Sequence, residues 1–287
     1  MRRRAVLPEG GRPVRVGTAD GVELSGVVAP SGAAPAPGQR PMTFVVAHGF
    51  TNSVTYPAFA RLVGWLSRFG EVRALDFRGH GSSGGGSAVG GDPEALDVDA
   101  AVAAARADGA RAVVTVGLSM GGGAVLRQAA AGAHRPDAVV SISAVSRWYV
   151  RDTRPMQRVH WLLETTAGRR LGAAALRLRL DVPWLTVPPS PLQLVSRIAP
   201  TPLLLVHGDQ DSYFPLEHFR TLAQAAGPAA TVWVVPGMGH AETGTTAPLA
   251  ERIGRWARAA VDALPDLPQS APARTDGGTA PSATIRG

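Results

Sequence analysis

The sequence predicts an α/β protein with a mostly parallel sheet, and three observations carry that reading. Short continuous apolar runs of strand length recur along the chain, as strands buried on both faces require. Helix-compatible stretches stand between them, the alternation that the crossovers of a parallel sheet need. At 287 residues, 45% of them hydrophobic, with a mean hydropathy of +0.05, the chain is long enough for one large domain with a buried core.

Taken in order, Val14-Arg15-Val16 and Val22 to Val28 alternate in polarity on either side of Asp20-Gly21, so residues 14 to 29 read as a hairpin. Four prolines make residues 30 to 41 a loop. Thr43 to Ala47 opens the series of buried strands, followed by Val72 to Leu75, Ala112 to Val116, Ala138 to Ile142, Leu203 to Val206 and Val232 to Val235. Asp92-Pro93-Glu94 offers an N-cap acceptor, a proline at the first turn and an acid at the positive end of the dipole, and the helix it opens stops at Asp108-Gly109. Pro215 and Glu217 open another, closed by Gly227-Pro228. A last amphipathic helix covers 246 to 263, with Leu249, Ile253, Trp256 and Val261 at core spacing. The ends are expected to be a flexible N-terminus (1–13) and a disordered tail (265–287) of Pro, Ser, Thr, Gly and Ala.

Composition excludes several chemistries. Without cysteine there is no disulfide, thiolate metal site, iron–sulfur cluster or cysteine nucleophile. Lysine is also absent, so all 29 basic residues are arginine, which removes Schiff-base and phosphate-loop lysine mechanisms. The net charge of +7 is local, because residues 146 to 200 hold nine arginines against Asp152, Glu164 and Asp181, or +6 of the total. No basic motif interleaved with stacking aromatics appears, so nucleic acid is not an expected partner. Met1-Arg2-Arg3-Arg4 is followed by only Ala5-Val6-Leu7 before Pro8, short of the roughly 7 to 15 apolar residues of a secretory leader. No run approaches the ~18 apolar residues of a membrane span. The expectation is a cytoplasmic protein.

The residues that carry chemistry lie after the strands. Gly117-Leu118-Ser119-Met120-Gly121 matches Gly-x-Ser-x-Gly directly after an apolar strand and before a helix-compatible stretch, the context of a nucleophile elbow. Glycine two residues to each side gives a serine room for the strained turn that projects its oxygen at the helix start. His207-Gly208-Asp209-Gln210-Asp211 follows the Leu203 strand, and Gly237-Met238-Gly239-His240 follows the Val232 strand. Serine, acid and histidine thus stand in the chain order this arrangement uses, each on a loop at the carboxyl edge of a different strand. His240 is the candidate base for Ser119, and Asp211 or Asp209 its orienting acid. Oxyanion donors are expected from the backbone N–H of Met120, at the helix start, and of Phe50, in the His48-Gly49-Phe50 loop after the first buried strand. His48 itself reads as structural.

Together with Asp76-Phe77-Arg78-Gly79-His80-Gly81-Ser82-Ser83, these segments resemble the α/β-hydrolase superfamily, in particular its monoglyceride-lipase and serine-aminopeptidase-like branch, over about residues 14 to 263. The resemblance implies an α/β-hydrolase fold, a mostly parallel central sheet with helices on both faces and an inserted helical lid. It implies that the acid ends a His-Gly-x-x-Asp pattern, hence Asp211, and that Arg78 and His80 belong to a structural loop. A serine at the elbow departs from the dehalogenase and epoxide-hydrolase branches, which place aspartate there.

Residues 146 to 200 break the strand–helix alternation and read as the lid, inserted between core segments 14–145 and 201–264. Trp148, Tyr149, Trp161 and Trp184, with Leu162, Leu163 and Leu185, are candidates to line a substrate pocket over Ser119. Its arginines are read as solvated, or as attracting an acidic substrate or an anionic lipid surface. The function expected is hydrolysis of a small-molecule carboxylic ester through an acyl-enzyme, with no metal or organic cofactor. A thioesterase, small peptidase or carbon–carbon bond hydrolase uses the same residues, and a non-catalytic binding protein on the same fold is the alternative of another class.

Overall fold

The computed structural model describes residues 10–182 and 184–265. Most of the two expected flexible ends lies outside them. The chain opens with β1 (Arg12–Gly17) and β2 (Glu23–Ala29), and β3 (Met42–Ala47), α1 (Pro57–Leu66), β4 (Glu71–Leu75) and α2 (Asp92–Ala107) follow. Next come β5 (Ala112–Leu118), α3 (Met120–Ala131) and β6 (Ala138–Ile142). The insert carries α4 (Arg154–Glu164), α5 (Thr166–Ala175) and the short α6 (Pro191–Leu194), with a 3-10 turn at Val195–Ile198. The chain closes with β7 (Leu203–Gly208), α7 (Leu216–Ala226), β8 (Thr231–Val235), α8 (Ala241–Gly244) and α9 (Ala247–Asp262).

The eight strands form one sheet in the order β1-β2-β4-β3-β5-β6-β7-β8. Strand β2 runs antiparallel to both β1 and β4, and every other pair is parallel. The continuous apolar runs of β3, β5, β6 and β7 are buried throughout, as two covered faces demand. One face packs Phe59, Leu62 and Leu66 of α1 and Leu249, Ile253 and Val261 of α9 into the core. The other face packs Val98 and Val102 of α2, Val125 and Leu126 of α3, and Phe219 and Leu222 of α7. Fully buried side chains such as Phe44, Phe59 and Leu118 each contribute roughly 1.5 to 3 kcal/mol from removal of apolar surface.

Two local expectations are corrected. Asp92 does not cap α2. Gly91 takes that position without a side-chain bond, while the Asp92 carboxylate pairs with the buried guanidinium of Arg127 on α3. A charge partner on the neighbouring helix outcompetes the local cap. Strand β1 begins at Arg12, inside the segment expected to be flexible, because its ladder to β2 runs from Arg12 opposite Val28 to Gly17 opposite Glu23. Within the insert, Leu194, Val195 and Ile198 join the core cluster shared by α3 and α7, whereas α4 buries only Met156 and α5 only Gly168 and Gly172.

Candidate active site

Four loops at the carboxyl edge of the sheet converge. The turn after β5 gives Ser119 φ 53° and ψ −114°, a conformation that costs a non-glycine residue about 1 to 3 kcal/mol and persists only where its surroundings over-determine it. They do so here. The Ser119 N–H donates to Ile142 O at 2.9 Å, and Ser119 O accepts from Gly123 N at 3.1 Å. The flanking glycines are sterically required: a Cβ on Gly117 would collide with Gly121 O, and one on Gly121 with the carbonyl oxygen of Ala47.

The Ser119 hydroxyl donates to His240 Nε2 at 2.9 Å, and His240 Nδ1–H donates to Asp211 at 2.8 Å from Oδ2 and 3.0 Å from Oδ1. Asp211 Oδ1 also accepts from the amides of Tyr213 at 2.8 Å and Phe214 at 3.1 Å. Burial pushes the Asp211 carboxyl up, but the His240 bond and charge and the two amides outweigh it and hold the group below its ordinary value. It therefore stays ionised and fixes the imidazole tautomer that leaves Nε2 free to accept a proton. The Tyr213 ring stacks on His240 at 4.3 Å between centroids, and Phe214 meets it edge-on at 5.5 Å. His240 is thus held on two sides and by one carboxylate.

Asp209, the competing acid, accepts from Gly237 N at 2.7 Å and serves the turn. His48 is wholly buried, its Nε2 accepting from Phe77 N at 3.0 Å and its Nδ1–H donating to Gly49 O at 2.8 Å. Burial lowers it to about 4, so it is neutral and structural. Arg78 bridges Asp97 at 2.8 Å and Asp20 at 2.7 and 3.0 Å, and His80 is buried with its pKa lowered to about 3. Neither reaches the Ser119 cleft.

That cleft, about 680 Å³, is lined by Gly49, Phe50, Ser119, Met120, Tyr213 and His240 among others. Met120 begins α3, so its amide has no partner one turn earlier in the helix. Of the four aromatic candidates in the insert, only Trp161 borders this cleft. Trp148, Tyr149 and Trp184 line a separate, adjoining cavity, and Leu185 is fully exposed.

Sequence reasoning missed Glu242. It is buried two residues beyond His240, borders the cleft, and accepts the Gly49 N–H at 2.5 Å, tying down the turn that carries Phe50. No pattern marks an acid in that position, because a loop tether depends only on where two loops meet. Among the described residues no group of three His, Asp or Glu is placed to hold a metal ion. Among them, too, no helix is long and apolar enough to cross a membrane.

The sheet order, the elbow after β5 and the loops after β7 and β8 define an α/β-hydrolase fold. The family model for serine aminopeptidase, S33, matches residues 39–197, more than half of the chain, and the chain belongs to that family of α/β hydrolases. No curated protein sequence matches it. Among solved structures it is similar to the esterase Pf2001 of Pyrococcus furiosus, at 23% identity and a TM-score of 0.65, over 86% of this chain and 89% of that one. An α/β serine hydrolase without lid from Xanthomonas campestris, XC6422, aligns at 18% identity and a TM-score of 0.58, over 92% and 99% of the two chains. A putative aryl esterase from Burkholderia cenocepacia aligns at 23% and 0.55, over 88% and 97%. At these identities the likeness is one of fold.

Proposed function

We propose that this α/β hydrolase is a serine-dependent carboxylic ester hydrolase working through an acyl-enzyme. The observation that carries the reading is the continuous relay from Asp211 through His240 to Ser119, with a strained serine at a helix start. Ser119 Oγ attacks the ester carbonyl carbon while its proton passes to His240 Nε2. The carbonyl oxygen becomes an oxyanion received by the Met120 and Phe50 amides. Collapse breaks the ester C–O bond, and His240 returns the proton to the departing alcohol. Water then attacks the acyl carbon with His240 again as base, releasing the acid and restoring the Ser119 hydroxyl. Serine, base and oxyanion donors suffice for this sequence.

The test is labelling of wild type and Ser119→Ala with a fluorophosphonate probe, alongside p-nitrophenyl acetate turnover. Wild type labels and turns over, and the variant does neither. Equal labelling of both proteins contradicts the assignment of the nucleophile.

A further inference from the structure

Beside the Ser119 cleft, under the insert, lies a second cavity of about 360 Å³. Its walls are mostly hydrocarbon and aromatic, and two of the lining rings, Trp148 and Trp184, pack edge to face at 5.0 Å. On its charged rim Glu164 is held by Arg151 at 2.6 Å and His160 at 2.8 Å, and Arg169 donates to Asp181 O at 2.7 Å. Arg147, also on the rim, meets Asp152 at 3.4 Å. A site whose walls are mostly apolar takes a hydrocarbon group.

Cleft and cavity share four bordering residues, Val89, Val145, Met156 and Val159. Val89 has φ 58°, a left-handed conformation that is a true outlier for a β-branched side chain. The conformation is imposed from behind, where Glu94 Oε1 accepts from Ala88 N at 2.7 Å, Val89 N at 3.1 Å and Ser87 Oγ at 2.8 Å. The partition is also thin. A Cβ added to Gly90 would lie 3.4 Å from Met120 Cγ on one side and 3.8 Å from the Trp148 ring on the other.

We infer that this cavity binds the distal hydrocarbon of the acyl group and that Val89, at its mouth, is a specificity-determining residue. The inference rests on the acyl-transfer reading above. Acyl and alcohol sides are told apart by the proton path: the leaving alcohol is protonated by His240, so it lies on the side of His240, Tyr213 and Thr243. These three border the cleft and not the cavity. Val89 borders the cleft together with Met120, and Gly90, next to it, lies against Met120.

The experiment compares kcat/KM over p-nitrophenyl acetate, butyrate, hexanoate and octanoate with that over ethyl to octyl acetates, for wild type, Leu163→Trp and Val89→Gly. In wild type the acyl series rises about fourfold per added methylene until the cavity is full, and the alcohol series does not. Leu163 borders the cavity alone, so Leu163→Trp fills it and lowers the octanoate-to-acetate ratio at least about tenfold. Val89→Gly relieves the left-handed strain, widens the mouth and raises that ratio. A flat acyl series, a rise that follows the alcohol, or a ratio unmoved by Val89→Gly overturns the inference while leaving the hydrolase reading intact. Acetate turnover and fluorophosphonate labelling report on that reading separately, and loss of both removes it and the acyl assignment together.

Discussion

Helix α3 buries eleven of its twelve residues, whereas α4, nearly as long, buries only Met156. The contrast extends to the regions around them. Strands β3, β5, β6 and β7 expose no residue, while the insert carries Tyr149, Trp161, Leu171, Leu176, Val182, Leu185 and Val187 as exposed large apolar side chains. A close-packed core can hold a serine in a strained conformation, because any relaxation would cost contacts on all sides. A loosely seated insert cannot supply that precision, but its surface can change without unfolding the sheet. On the proposed reading, chemistry belongs to the first region, and the second, with Val89 at its border, takes part in substrate choice.

The largest effect that could break this division is kinetic. Asp211→Asn should lower kcat/KM by about 10⁴-fold with the fold intact, because the wrong imidazole tautomer is then favoured. Asp209→Asn, at a turn on the same loop, should cost under tenfold, and p-nitrophenyl acetate turnover of the two variants side by side decides between them. Next in size is a stability contrast. Gly121→Ala drives a methyl into the Ala47 carbonyl and should cost about 3 kcal/mol or more, whereas Leu185→Ser in the exposed part of the insert should stay within about 0.5 kcal/mol. Urea unfolding of both measures it, and equal losses would dissolve the distinction.

The seam between the regions gives the third expectation. Glu94 is fully buried, with Oε2 unpartnered, and burial first, then the charge of Asp97, pushes it up to about 7 from 4.5. A raised carboxyl pKa means that the folded state prefers the protonated acid. Its contribution is therefore full below about pH 4.5 and is lost as pH rises through 7, on the order of 3 kcal/mol. Glu94→Gln keeps the Oε1 acceptor for the 87–89 loop and carries no charge. Its Tm should rise relative to wild type between pH 5 and 8, and a constant difference across that range would contradict the assignment.

Much of this is legible in the sequence. Val113, Val114 and Val116 read as a doubly covered strand because nothing polar interrupts them but Thr115, itself buried. Ser119, Asp211 and His240 are readable because each follows an apolar strand, although β8, before His240, leaves Val232 and Val234 exposed, so local patterns fix their place at one sheet edge. Helix α1 was not foreseen: Pro57 to Leu66 follows Tyr56, a poor cap, and its apolar face binds α9 from the far end of the chain. The role of Glu242 is invisible in the sequence for a related reason, and Glu94 is legible only as an acid at the helix start, not as the acceptor for the 87–89 loop. Glu242 owes its role to the Gly49 amide on a loop 193 positions away, whose approach depends on the assembled fold, whereas Glu94 accepts from the loop just before its own helix, whose path no sequence pattern marks. The division of the insert aromatics between two cavities depends likewise on Val89 and Met156 standing between them.

The central claim, covalent catalysis at Ser119, is tested most directly by rapid mixing with p-nitrophenyl butyrate followed by acid quench and peptide mass analysis. The account predicts a burst of p-nitrophenolate equal to the enzyme concentration and a butyryl mass on the peptide carrying Ser119. Turnover with no adduct on that peptide, undiminished in Ser119→Ala, would contradict it.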